Sequence, residues 1–247
     1  LRLSIMFSVT LLVIVIISIF LSSCAFLLSN IVSGSGNVTY TVWVYINGMP
    51  KKMVEDLNLS TAAEVSYKGS FSAKFFVGSA LKREVPRKDL NDLFNKPIED
   101  NINIITQPTG SIGISSSLTI TYSTDTTFTA ASSSVSFEFE KSFPLSEGKF
   151  YMIFDFSTDS DEGMLTVVPY SKGYKFTVIT SKRDYVDVFD NEKGYRLISE
   201  NIDGKYQCVF IGEKGKTYTF ESSGNQKTIP VPQNTDKDGE IVDLSGQ

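Results

Sequence analysis

Apolar and polar residues alternate with a period of two along most of this chain, and a polypeptide patterned that way hides its apolar groups by folding into half-buried β-strands. The run Val38-Thr39-Tyr40-Thr41-Val42-Trp43-Val44-Tyr45-Ile46 is a long example, and the pair Asn47-Gly48 that follows it is a turn signal. Within it Tyr40, Val42, Val44 and Ile46 share one face and Trp43 and Tyr45 the other, so one ring set belongs to a core, and the alternation leaves open which. The same pattern predicts strands over residues 64–77, 117–122, 134–140, 149–156, 164–168, 174–180, 185–189, 195–199, 206–211 and 217–222, with Gly, Asn and Asp between them. Many short strands joined by such turns specify an all-β, antiparallel sandwich. One helix is expected over residues 85–94, where Pro86 suits a first turn and Leu90, Leu93 and Phe94 share a helical face.

Composition shifts divide the chain. Over residues 111–136 more than half the residues are Ser or Thr and Asp125 is the lone charge, yet Ile, Leu, Tyr and Phe are spaced through the stretch. Antiparallel strands with a hydroxylic outer face account for both facts. After Phe143-Pro144 charged turns separate strongly alternating strands, which places a domain boundary at 142–147. The expected organisation is an apolar signal or anchor over residues 1–24, a first sandwich over 37–142, a second, jelly-roll-like sandwich over 147–229, and a loose polar tail over 230–247.

The first fifty residues carry a single charge, Arg2, followed by an apolar run ending in Leu21-Ser22-Ser23-Cys24. A basic start, an apolar core and small residues before a cysteine read as a secretory signal. Leu-Ser-Ser-Cys resembles the lipobox of bacterial lipoproteins. That resemblance implies cleavage before Cys24 and diacylation of its thiol, leaving Cys24 as the lipid-bearing end of the mature chain. The run continues through Ala25-Phe26-Leu27-Leu28, so an uncleaved helix, which needs about 20 residues to span a bilayer, and a plain cleaved signal are the alternatives. All three export the remainder of the chain.

Formal net charge is −5, and the densest basic stretch, 82–88, is interrupted by Glu84 and followed by Asp89 and Asp92. That balance repels nucleic acid, which is not an expected partner. Cys24 and Cys208 are the two cysteines, so lipidation of the first leaves the second a free thiol. Cys208 shares a strand face with Tyr206 and Phe210, where a small buried hydrophobe is expected rather than a nucleophile.

The chain contains no histidine, which removes Ser-His-Asp and Cys-His machinery and His-ligated zinc. Glu138 and Glu140 lie on one face of a predicted strand at a spacing glycosidases can use, but Phe137-Glu138-Phe139-Glu140 is also an ordinary half-buried strand. Two acidic loops invite calcium, Asp159-Ser160-Asp161-Glu162-Gly163 and Asn234-Thr235-Asp236-Lys237-Asp238-Gly239. The second has Ser245 where a bidentate glutamate belongs, and the first reads as a β-turn, so no metal and no cofactor is expected.

In the second half, Tyr174-Lys175-Phe176-Thr177-Val178, then Asp184-Tyr185-Val186-Asp187-Val188-Phe189-Asp190 and Gly194, then Gly212-Glu213-Lys214-Gly215-Lys216-Thr217-Tyr218 resemble bacterial pre-peptidase C-terminal domains. The resemblance spans 148–222 and implies a noncatalytic accessory or adhesion module of jelly-roll type. The sequence as a whole reads as an exported, membrane-tethered, noncatalytic binding or adhesion protein, touching the membrane through lipid or helix and a glycan or protein through an aromatic face. The alternative is a carbohydrate-active hydrolase using Glu138 and Glu140.

Overall fold

The computed structural model describes residues 37–57, 64–77, 79–90, 98–105, 111–126, 129–144 and 148–246; the leader with Cys24 lies outside them. The described chain is almost entirely β and forms two sandwiches. In the first, one sheet has the spatial order β4 (Ile98–Ile105), β1 (Asn37–Asn47), β7 (Lys149–Asp155) and β8 (Met164–Pro169). The facing sheet has the order β3 (Ala80–Leu90), β2 (Glu64–Val77), β5 (Ser111–Thr126) and β6 (Thr129–Pro144). Val42, Ile46, Met152 and Phe154 of the one meet Phe71, Phe75, Ile114, Leu118 and Ile120 of the other in a single core. A short helix, α1 (Lys51–Asp56), closes one end by burying Met53.

Strand β5 shows the alternation at its cleanest. Ile112, Ile114, Leu118, Ile120 and Tyr122 are buried together with Ser116, while Ser115, Ser117, Thr119 and Thr121 lie on the opposite, more exposed face. Ser72 and Ser117, then Thr119 and Ser136, link their side-chain oxygens across that outer face at 2.8 and 3.0 Å. Hydroxyl pairs of this kind are a normal way for adjacent strands to satisfy an exposed face.

The second sandwich packs β11 (Gly194–Ile198), β10 (Tyr185–Phe189), β14 (Thr217–Ser222) and β15 (Asn225–Pro230) against β12 (Glu200–Ile202), β13 (Lys205–Glu213), β9 (Gly173–Thr180) and β16 (Gly239–Asp243). Phe176, Val178, Val188, Leu197, Cys208, Phe210 and Phe220 fill its core. Cys208 is fully buried, as its strand position predicts, and burial pushes its thiol up.

Three expectations are corrected. The boundary at 142–147 does not separate the sandwiches, because β7 pairs in parallel with β1, from Thr41 opposite Lys149 to Asn47 opposite Asp155. The change of sandwich comes at the turn between Pro169 and Gly173. Consequently the stretch 148–222 that resembles a pre-peptidase domain straddles both units. The helix expected over 85–94 is instead strand β3 as far as Leu90, where Val85 is buried and the ladder to β2 outweighs local propensity. Pro86 is tolerated because β3 is an edge strand and the register skips from Lys88 to Val85 there, a bulge that needs no donor from proline. The tail expected over 230–247 is loose in neither half: Val231 is buried, and β16 pairs in parallel with β9 while burying Val242 and Leu244.

Candidate binding cleft between the sandwiches

Strand β7 is buried along six consecutive residues, which no single core explains. Phe150, Met152 and Phe154 enter the first core, while Tyr151 and Ile153 point the opposite way and meet Tyr45, Val168, Val209 and Ile211. The outer face of the sheet containing β1 therefore lies against β13 of the second sandwich. Asn47 fixes that contact. Its side-chain amide donates to the Ile211 carbonyl at 2.8 Å, and its Oδ1 accepts from the Ile211 amide at 3.0 Å, so it pairs with β13 as a strand residue would. Gly48 beside it has φ +76°, and a Cβ there would fall 2.2 Å from the Phe156 carbonyl oxygen, so the turn requires glycine.

Asp155 stands opposite Asn47 in the ladder and is 8% exposed. Burial raises its carboxyl to about 6, although hydrogen bonds from Thr166 and Asn47 pull the other way. Nearby, the Met49 amide donates to the Arg196 carbonyl at 2.8 Å and the Tyr185 hydroxyl to the Leu57 carbonyl at 2.6 Å. The junction is thus both apolar and hydrogen-bonded.

Residues of both sandwiches also line an open cleft of about 480 Å³. One side is aromatic. Tyr45 and Tyr151 are buried at its base, and Trp43 and Tyr170 stand half-exposed above them. Ring centroids are 5.0 Å apart for Trp43 and Tyr170, 5.2 Å for Tyr151 and Tyr170, and 5.8 Å for Tyr45 and Tyr151, giving a continuous aromatic tier. Gly173 permits it, since a Cβ there would sit 2.3 Å from the Tyr151 ring. The opposite side is the uncovered part of β9 and β16, contributing Lys175, Thr177, Asp238, Glu240 and Ile241. Ile241 is 68% exposed, unusual for so large an apolar side chain.

One hydroxyl links the two sides: that of Tyr170 donates to Asp238 at 3.4 Å. Within the second sandwich the Tyr174 hydroxyl of β9 donates to Glu240 of the adjoining β16 at 3.2 Å. Tyr45 is pushed up to about 12, by burial first and Tyr170 second, and Tyr151 is raised too, by burial first. Tyr45 and Tyr151 are therefore neutral hydroxyls at physiological pH, able to donate and to accept.

The candidate carboxylates and acidic-loop ligands singled out in the sequence fall elsewhere, with one exception. Glu138 and Glu140 are exposed on the outer face of β6 opposite Ser117 and Ser115, while Phe137 and Phe139 turn inward with centroids 6.1 Å apart. Alternation places all four. Asp161 of the first acidic loop pairs with Lys51 at 3.4 Å, and in the same loop Ser160 accepts from the Glu162 amide at 3.1 Å. The exception is Asp238 of the second loop, which borders the cleft. Trp43 and Tyr45 were visible as an aromatic face; Tyr170, Glu240 and Ile241 were not, because their proximity depends on how two sandwiches meet.

No known family profile matches the chain, and no curated protein matches it. Among solved structures, the C-terminal fragment of the pilus adhesin SpaC from Lactobacillus rhamnosus GG aligns with 83% of this chain and 96% of its own at 7% identity and a TM-score of 0.26. The Bacillus anthracis TIE protein aligns over 72% of this chain and 51% of its own, at 8% identity and a TM-score of 0.24. A fimbrial protein from Bacteroides ovatus aligns over 86% and 51%, at 6% identity and a TM-score of 0.21. Likenesses at such TM-scores carry no weight for fold or function.

Proposed function

We propose that this chain is an exported, membrane-tethered surface protein that binds a ligand without transforming it, holding the ligand in the cleft between its sandwiches. The cleft carries the reading: a concave site with an aromatic side and a few polar groups at its rim is the usual form of a ligand site. The tether rests on the apolar leader and its lipobox-like end at Cys24. Noncatalytic binding is favoured over hydrolysis because the paired carboxylates Glu138 and Glu140 lie on an exposed strand face away from the aromatic tier.

Arrays of glycans and peptides probed with the chain from Ser33 onward test the binding role. Tyr170→Ala is expected to weaken every cleft ligand by about ten-fold. Ligands retained at full strength by that variant, or turnover of an arrayed glycan lost in Glu140→Gln, overturn the reading. For the tether, Cys24→Ser is expected to abolish incorporation of a labelled fatty acid and to block processing. Unchanged size together with unchanged membrane association in that variant favours an uncleaved helix instead.

A further inference from the structure

The chemistry of the cleft rim narrows the ligand, given that the cleft is the binding site as proposed above. A cationic ligand would want its carboxylates free of competing positive charge, yet Lys175 stands on the same rim as Asp238 and Glu240. An anionic ligand would meet two carboxylates for one ammonium. An extended peptide adding to the open edge of β16 would draw its affinity from main-chain hydrogen bonds there and would leave the aromatic tier unused. A neutral molecule rich in hydroxyls suits every feature. Each hydroxyl both donates and accepts, which matches a cleft offering carboxylate acceptors, an ammonium donor and the hydroxyls of Thr177 and Tyr170. The apolar C–H face of a sugar ring suits the half-exposed Trp43 and Tyr170 rings and the exposed Ile241. The volume of about 480 Å³ lies within the ordinary range for small-ligand sites.

We infer that the cleft lined by Trp43, Tyr170, Ile241, Asp238 and Lys175 binds a short neutral oligosaccharide, its ring faces stacking on the aromatic residues and its hydroxyls bridging the mixed-charge rim. Binding of this kind releases no counterions, so it resists salt.

Trp43 is the only tryptophan in the chain, so intrinsic emission reads the cleft directly. The full chain in lipid nanodiscs is first passed over an array of neutral, sialylated and sulfated glycans together with lysine-rich and extended peptides. It is then titrated with the strongest binders while Trp43 emission is followed. The expected result is a saturable change with neutral oligosaccharides, altered less than about two-fold by raised salt. Tyr170→Ala should weaken it by about ten-fold and the surface variants Asp238→Asn and Ile241→Asp by several-fold. The two surface variants alter exposed side chains, so their effect does not depend on refolding. If emission responds to a charged or peptide ligand and to no neutral glycan, the ligand class is wrong and the binding cleft stands. If ligands bind with no change in Trp43 emission and no loss in the three variants, the cleft is not the site, and both readings fall.

Discussion

Asp155 and Asn47 carry consequences out of proportion to their size, because both are polar and buried where two sandwiches meet. The folded protein holds a proton on Asp155 up to about pH 6, against 3.8 for the unperturbed carboxyl. Between those values the folded state binds more protons than the unfolded one, so stability falls as pH rises. The contribution is fully present below the unfolded value and lost as pH passes through about 6; a shift of this size corresponds to about 3 kcal/mol. Asp155→Asn keeps an acceptor for Thr166 and Asn47 and removes the charge. Denaturant unfolding should show it more stable than the parent at pH 7 and flatter with pH between 4 and 7, and a variant less stable at pH 7 with the parent's slope contradicts this. Asn47→Ala leaves the Ile211 amide and carbonyl without their partners, at about 1–3 kcal/mol for each group if they stay dry. Ser116 gives the opposite sign. Among the described residues its hydroxyl is buried with no hydrogen-bond partner, so Ser116→Ala should be neutral or stabilising by about 1 kcal/mol in the same measurement.

At the scale of strands, β16 tests how much a short C-terminal element matters. It is five residues long, yet its Val242 and the Leu244 that follows it bury almost completely in the second core, and the Leu244 amide donates to the Ile179 carbonyl at 2.8 Å. Burying two such side chains contributes about 3–6 kcal/mol, a large part of the stability of a small domain. Deleting residues 234–247 should therefore lower the melting temperature sharply or split the transition in two, and Leu244→Ala should cost about 2–5 kcal/mol. An unchanged transition after the deletion would show that β16 adds nothing. The sequence concealed this strand because Glu240-Ile241-Val242-Asp243-Leu244 has too few alternations to stand out, and its partner β9 lies some sixty residues away in parallel. Strand β15 was concealed for a related reason: it is exposed almost throughout and owes its form to the ladder with β14. Strands such as β5, β9 and β14 are legible from alternation because their two faces differ in burial. Strand β3 went wrong as a helix because a proline and three apolar residues at helical spacing carry no trace of the hairpin with β2 that decides the outcome.

At the scale of the whole molecule, composition followed solvent exposure rather than domain membership. The hydroxyl-rich β5 and β6 present an exposed outer face, whereas β7 is covered on both faces, so the chemistry changes abruptly at 142–147 inside one sandwich. The aromatic face of β1 was legible and its purpose was not, since Trp43 and Tyr45 form neither core; they line a junction that exists only once β13 is in place. This placement sets a final test. A fragment over 146–229, cut at the boundary that composition suggests, holds β7 and β8 without β1 and lacks β16. It strips Phe150, Met152 and Phe154 of the first core and removes Val231, Val242 and Leu244 from the second. It should be unfolded or aggregated. A fragment over 170–246 retains all eight strands of the second sandwich and should unfold cooperatively, though marginally, at that size. Its Cys208 should resist thiol reagents until unfolding, as burial requires. Because Val209 and Ile211 lose their cover in that fragment, co-expression with 37–169 should return the two pieces as a complex, and Asn47→Ala should weaken it. Cooperative folding of 146–229 with a stability equal to that of 170–246, or failure of the two pieces to associate, would show that the sandwiches are divided elsewhere than at Pro169–Gly173.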